Sequence, residues 1–209
     1  MKAAIRLLLP LVLIVPLYAQ EAPEEPVLLS VGGADSGSTG VHGLAVGFAL
    51  DRAYCHVTIS ARLNNGGGFA GYASSIAWLT RAIGPEATDR DQVARVAFDL
   101  PPLYEGMFPL FTDIDLPAGD YWLVLANPPA GRFSYTNWVV SAPLALFKSN
   151  GTRYLGTTSV YSMEVADYPP SSPFGGIYTG FGYQFAVTGE PAGLRPEEQL
   201  PRRGRRHGE

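Results

Sequence analysis

One cysteine, three histidines and three methionines occur in 209 residues, and only 16% of the chain is charged. A lone thiol, Cys55, excludes an intramolecular disulfide framework and an all-cysteine zinc site, because each needs at least two sulfurs on one chain. Three histidines leave few ligands for a metal enzyme. The longest amino-terminal apolar run, 7–18, is interrupted by Pro10 and Pro16 and falls short of the roughly twenty residues of a spanning helix. Two catalytic or nucleotide signatures are also missing. No Gly-x-Ser-x-Gly elbow is present, and Asn64-Asn65-Gly66-Gly67-Gly68 lacks the Lys-Ser/Thr that completes a phosphate loop. That stretch reads as a loop whose residues tolerate positive φ.

What is present describes an exported, turn-rich chain. Lys2 and Arg6 precede the apolar run, and Ala19 follows it as a small residue at a cleavage position. This is the anatomy of a signal peptide over 1–19; a retained anchor is the competing reading. Removing 1–19 takes away two cations and moves the net charge from −4 to −6. A Pro/Glu-rich lead follows at 20–26. The last stretch, 190–209, carries Arg195, Arg202, Arg203, Arg205 and Arg206 against four glutamates, the composition of a solvated, disordered tail, with contact to polyanions as the alternative. The acidic body between lacks the clustered Lys/Arg that phosphate neutralisation needs, so no nucleic-acid partner is expected.

Between lead and tail, 27–189 reads as one domain, in a chain that is 46% hydrophobic and carries 24 glycines and 18 prolines in all. Leu44, Val46, Phe48 and Leu50 alternate with small residues, and Cys55, Val57, Ile59 and Ala61 alternate with His56, Thr58, Ser60 and Arg62. Strict alternation predicts half-buried strands. Further strands are predicted at 27–31, 76–83, 93–98, 121–126, 138–140, 144–147, 158–165 and 178–187. The only helical turn suggested is 87–93. Pro117-Ala118-Gly119-Asp120 reads as a turn. Asn150-Gly151 reads as a tight hairpin turn, and with Thr152 it also forms a glycosylation sequon. The expected fold is all-β: an antiparallel, jelly-roll-like sandwich of about ten strands.

The Ala45–Leu50 strand, Tyr54–Ile59, Trp78-Leu-Thr-Arg-Ala-Ile-Gly-Pro85, Leu116-Pro-Ala-Gly-Asp-Tyr-Trp-Leu-Val-Leu125 and Gly182-Tyr-Gln-Phe-Ala-Val-Thr-Gly189 stand in an order that resembles bacterial secreted choice-of-anchor domains. These are β-sandwich ectodomains often carried by PEP-CTERM-type proteins. The resemblance spans roughly 27–189 and implies export and cell-surface or matrix association, with no catalytic residues to carry over. The carboxyl end departs from the pattern: Gly189-Glu190-Pro191 and the arginine cluster have no apolar span between them, so no stable membrane span is expected in the processed chain.

Three constellations bear on chemistry. Asp113, Asp115 and Asp120 lie within eight positions near a turn, and such oxygen ligands suit Ca²⁺. Their spacing is not an EF-hand loop, and solvated acids flanking a turn are the competing reading; Glu86, Asp89 and Asp91 pose the same alternatives. Ca²⁺ is the one cofactor left open. The aromatics form the second set, with Phe133, Tyr135, Asn137 and Trp138 as a candidate sugar-binding group; in the competing reading Trp122 and Trp138 fill the core. Tyr154, Tyr161 and Tyr178 extend the set. In the third, His42 or His56 would serve a Ser-His-Asp arrangement, but adjacent Cys55 and His56 point to opposite faces of a strand, and Cys55 reads as a buried small hydrophobe. No catalytic residue is assigned. The expected function is a secreted, non-catalytic sandwich with a structural or interaction role at the bacterial cell surface or in extracellular matrix, its partner a polysaccharide or a surface protein. The alternative is a carbohydrate-binding module.

Overall fold

The computed structural model describes residues 26–66, 71–128, 135–161 and 165–193. The expected signal peptide and nearly all of the expected tail lie outside them. The described residues form thirteen strands and two single-turn 3-10 helices, with no α-helix. Every strand pairing is antiparallel. Eight strands make one sheet: β1 (Val27–Gly32), β2 (Asp35–Gly40), β4 (Tyr54–Asn65), β7 (Glu105–Leu116), β9 (Thr136–Ser141), β10 (Ala145–Lys148), β12 (Gly182–Tyr183) and β13 (Phe185–Pro191). The other five make the second, in the order β11 (Thr152–Ser159), β3 (Leu44–Leu50), β8 (Gly119–Ala126), β5 (Ala73–Thr80) and β6 (Gln92–Leu100). The expected all-β sandwich is the observed fold.

The main core lies between the sheets. Phe48 of β3 stacks on Tyr121 of β8 with ring centroids 5.5 Å apart, and Phe185 of the larger sheet reaches Phe48 at 6.1 Å. Ile59, Leu63, Leu79, Leu123 and Leu125 are fully buried around them; burial of each such side chain contributes about 1.5–3 kcal/mol.

A second apolar cluster lies on the opposite face of the five-stranded sheet, where Ala45, Ile76, Trp78, Trp122, Val124 and Ala126 are buried. Segment 165–181 covers them, with Tyr168 and Phe174 packed against the cluster and Pro169 and Pro170 buried. The segment is tied down along the free edge of β11: Tyr178 and Thr157 exchange backbone hydrogen bonds of 2.8 and 2.9 Å, and the Gly175 amide donates to Ser159 O at 2.8 Å. All seven residues of β3 are therefore buried, where alternation alone predicted a strand with one face in water. The small residues of β3 are what permit this. Gly47 sits opposite Trp122 in the ladder, and a Cβ there would stand 2.8 Å from the Trp122 ring and 2.9 Å from Leu155 Cβ.

Other expectations are corrected. Asn150-Gly151 does make a tight turn, but β10 and β11 belong to different sheets, so it carries the chain across the sandwich and closes no hairpin. The strand predicted at 158–165 runs instead from Thr152 to Ser159. The strand predicted at 178–187 is two: β12 pairs with β9, Gln184 intervenes, and β13 then pairs with β4 and β1. The helical turn suggested at 87–93 is a single 3-10 turn, Asp89–Asp91.

Substituting Gly47→Ala is expected to lower unfolding stability by about 1–3 kcal/mol through overpacking under Trp122. Equilibrium denaturation of both forms measures this, and an unchanged midpoint would contradict the close approach.

Candidate functional site

A cleft of about 780 Å³ opens on the covered face of the five-stranded sheet, beside the covering segment. Trp78 of β5 forms part of its lining, with Arg95 directly across the ladder on β6. The Arg95 guanidinium carbon lies 5.6 Å from the Trp78 ring centroid, within reach of a cation–π attraction. Trp78 is only 3% exposed, so the ring serves as a pedestal that orients the guanidinium.

The backbone adds a second polar side chain to the same face. Leu79 pairs with Ala94 and Thr80 with Gln92, leaving Val93 as an extra residue on β6. In an uninterrupted strand residues three apart point to opposite faces. The bulge at Val93 reverses that parity, so Gln92 and Arg95 both line the cleft. Next to them the 3-10 turn contributes Asp89. That turn is held by a capping box, the Thr88 amide donating to Asp91 Oδ2 at 2.8 Å and the Arg90 amide to Thr88 Oγ1 at 3.3 Å. Asp91 is thus engaged in the cap. His42 and Asn127 add a hydrogen-bonded pair, Asn127 Nδ2 and His42 Nδ1 being 2.7 Å apart. Asp167 and Tyr168 of the covering segment complete the lining, and burial raises the Tyr168 hydroxyl above its ordinary pKa. The cleft therefore combines carboxylates, amides and one guanidinium, a set able to accept and to donate hydrogen bonds.

Of the residues singled out in the sequence, His42 and Asp89 line this cleft; the candidate sugar-binding and calcium residues lie elsewhere, and they do not converge. Trp138 is fully buried on β9, stacked on Tyr183 at 5.0 Å and donating from Nε1 to the Gln184 carbonyl at 2.7 Å. It cannot stack on a sugar, so the candidate binding group loses its largest ring; burial pushes the neighbouring Tyr183 hydroxyl up to about 12. Asn137 is half-buried and donates from Nδ2 to Asn64 Oδ1 at 3.1 Å across the β4–β9 ladder. Tyr135 is exposed, and Phe133 lies outside the described residues. Trp122 is buried under the covering segment.

Nor are the three candidate calcium ligands brought together. Asp113 and Asp115 lie on β7, Asp120 on β8. Asp113 Oδ1 is 2.6 Å from His56 Nδ1, while Asp120 Oδ1 is 3.4 Å from Arg153 Nη2. Among the described residues no three His, Cys, Asp or Glu side chains form a metal-binding group.

The His56–Asp113 contact has a structural origin invisible to alternation. Tyr54 pairs with Leu116, Val57 with Ile114 and Ile59 with Phe111. Each strand therefore carries one extra residue in turn, and His56 (φ 51°) and Asp113 (φ 56°) occupy the left-handed conformation at these two bulges. The first bulge breaks the alternation at Cys55, which is half-buried rather than buried, with Sγ 3.6 Å from the Glu190 carbonyl.

The hydrogen bond to Asp113 and its negative charge raise the His56 pKa above the ordinary value of about 6.5. A raised pKa in the folded state means that protonated His56 stabilises the fold below about pH 6.5 and that this contribution fades as the pH climbs past the raised value. His56→Asn retains a residue tolerant of positive φ but does not titrate. The wild type is expected to lose stability relative to this variant as the pH rises above about 6.5; parallel pH dependences of the two melting temperatures would refute the pair.

Compared with known protein families, with curated proteins and with solved structures, the chain shows no significant match. What the fold defines is an antiparallel β-sandwich with one sheet covered on both faces.

Proposed function

We propose that this protein is an exported, non-catalytic β-sandwich that works by binding at the bacterial cell surface or in the extracellular matrix. The signal-peptide pattern of residues 1–19 and the resemblance of 27–189 to choice-of-anchor domains support export. The observation that carries the binding role is the apolar surface left open where the edges of the two sheets approach each other. All four residues of β10 are exposed; Leu146 faces the gap, and Phe147, the next residue, stands on the other face of the strand. Beside β11, Ile177 and Tyr178 are more than half exposed. A shallow depression between the edges is lined by Leu144, Leu146, Tyr154 and Thr179, with Lys148 and Arg153 beside them. Exposed apolar side chains gathered at one edge, with cationic neighbours, suit a macromolecular partner better than open solvent. A surface or matrix protein, or an extracellular polysaccharide, fits that description. Among the described residues no helix is long and apolar enough to cross a membrane.

Fractionation of bacteria expressing the full chain with a carboxyl-terminal epitope tag tests this. The tagged protein is expected in the cell-surface or matrix fraction with residues 1–19 removed, and a folded Leu146→Glu variant, changed in the lining of the depression, is expected to shift into the medium. Recovery from the cytoplasm with 1–19 still attached would overturn the proposal.

A further inference from the structure

We propose that the cleft over Trp78 is a binding site for a neutral saccharide. It goes beyond the binding role above, at a place distinct from the apolar edge. Its volume of about 780 Å³ lies within the roughly 300–1,000 Å³ of small-molecule sites. The charges inside it are of both signs and stay apart. Asp89, Arg95 and Asp167 line one cleft, yet none joins an ion pair among the described residues. A structural arginine beside two carboxylates would be expected to pair with one of them. Here the cross-strand stack on Trp78 holds Arg95, and the capped turn sets the position of Asp89.

The backbone is also modified to supply the site. Without the bulge at Val93, Gln92 would face away from the cleft. On the other side the side-chain oxygen Oδ1 of Asn127 is shielded from solvent and has no hydrogen-bond partner among the described residues.

The ligand class follows from the balance of these groups. Each sugar hydroxyl both donates and accepts, and the cleft offers acceptors in Asp89 and Asp167 and donors in Arg95 and Gln92. A phosphate or uronate would meet two carboxylates as well as the guanidinium. An ammonium would meet Arg95 as well as the carboxylates. A neutral polyol avoids both conflicts.

Titration calorimetry of the full chain against cellohexaose, xylohexaose, mannohexaose, laminarihexaose, maltohexaose and chitohexaose tests the site, with hexagalacturonate and ATP as anionic probes. Saturable binding of at least one neutral hexasaccharide is expected. Gln92→Ala and Asp167→Asn, both exposed and so expected to leave the melting temperature unchanged, should each weaken it about tenfold, the loss of one good hydrogen bond. Binding to none of the neutral probes, binding untouched by both substitutions, or preference for hexagalacturonate or ATP would overturn the assignment. Binding in solution and surface association in cells are separate readouts, so either proposal can fail while the other stands.

Discussion

Burial of both faces of the five-stranded sheet is the constraint on which the rest of the molecule depends. A sandwich ordinarily leaves the outer face of each sheet in water. Here Trp78, Trp122 and their neighbours turn that face into a second apolar layer, and the 165–181 segment must lie across it. Close approach is possible because Gly47 leaves room for the Trp122 ring. The segment's backbone groups find partners along β11, which closes what would otherwise be an open edge. The cleft exists because the covering is incomplete: where 165–169 passes over β5 and β6, polar side chains line the gap left beside it.

Irregularities in the ladders then decide which side chains meet. The bulge at Val93 delivers Gln92 to the cleft, and the paired bulges on β4 and β7 deliver His56 to Asp113. A third device lies at Gln184, where the chain leaves β9 and joins β4. Its Nε2 donates to Asp35 Oδ1 at 2.6 Å and Ser141 Oγ at 2.7 Å, while Arg62 Nη1 donates to both Asp35 Oδ1 and Gln184 Oε1. A buried amide so placed satisfies the polar groups exposed by the change of partner and joins β2, β4 and β9 around the buried Trp138.

The class of fold was legible because the hydrophobic strands announce themselves: β3 is predicted to its last residue, and β1, β5, β6, β8 and β9 are found within a few positions. Two strands escaped. β2, Asp-Ser-Gly-Ser-Thr-Gly, has no apolar side chain and is held by pairing to β9. β7 contains Pro109, which argues against a strand, but the chain accommodates it by a register shift next to the Ile59–Phe111 pair. Site residues were harder to read. Composition drew attention to Trp138 and the Asp113–Asp120 acids, whereas the cleft is assembled from His42, Trp78, Asp89, Gln92, Arg95, Asn127 and Asp167, brought together by cross-strand register, one bulge and a covering loop. None of these leaves a periodic trace. The available hints were His42 and, in the 87–93 turn, Asp89.

The covering layer is tested most directly by native-state hydrogen exchange at the amides of Tyr161, Gly175 and Tyr178, which donate to Pro173, Ser159 and Thr157, each at 2.8 Å. With the segment seated over the second apolar layer, Gly175 and Tyr178 are expected to exchange orders of magnitude more slowly than an unstructured chain, in step with the adjoining β11 amides. Exchange of all three at unstructured-chain rates, while β3 and β8 remain protected, would contradict it: the outer face would then be bare, and the cleft would have no wall.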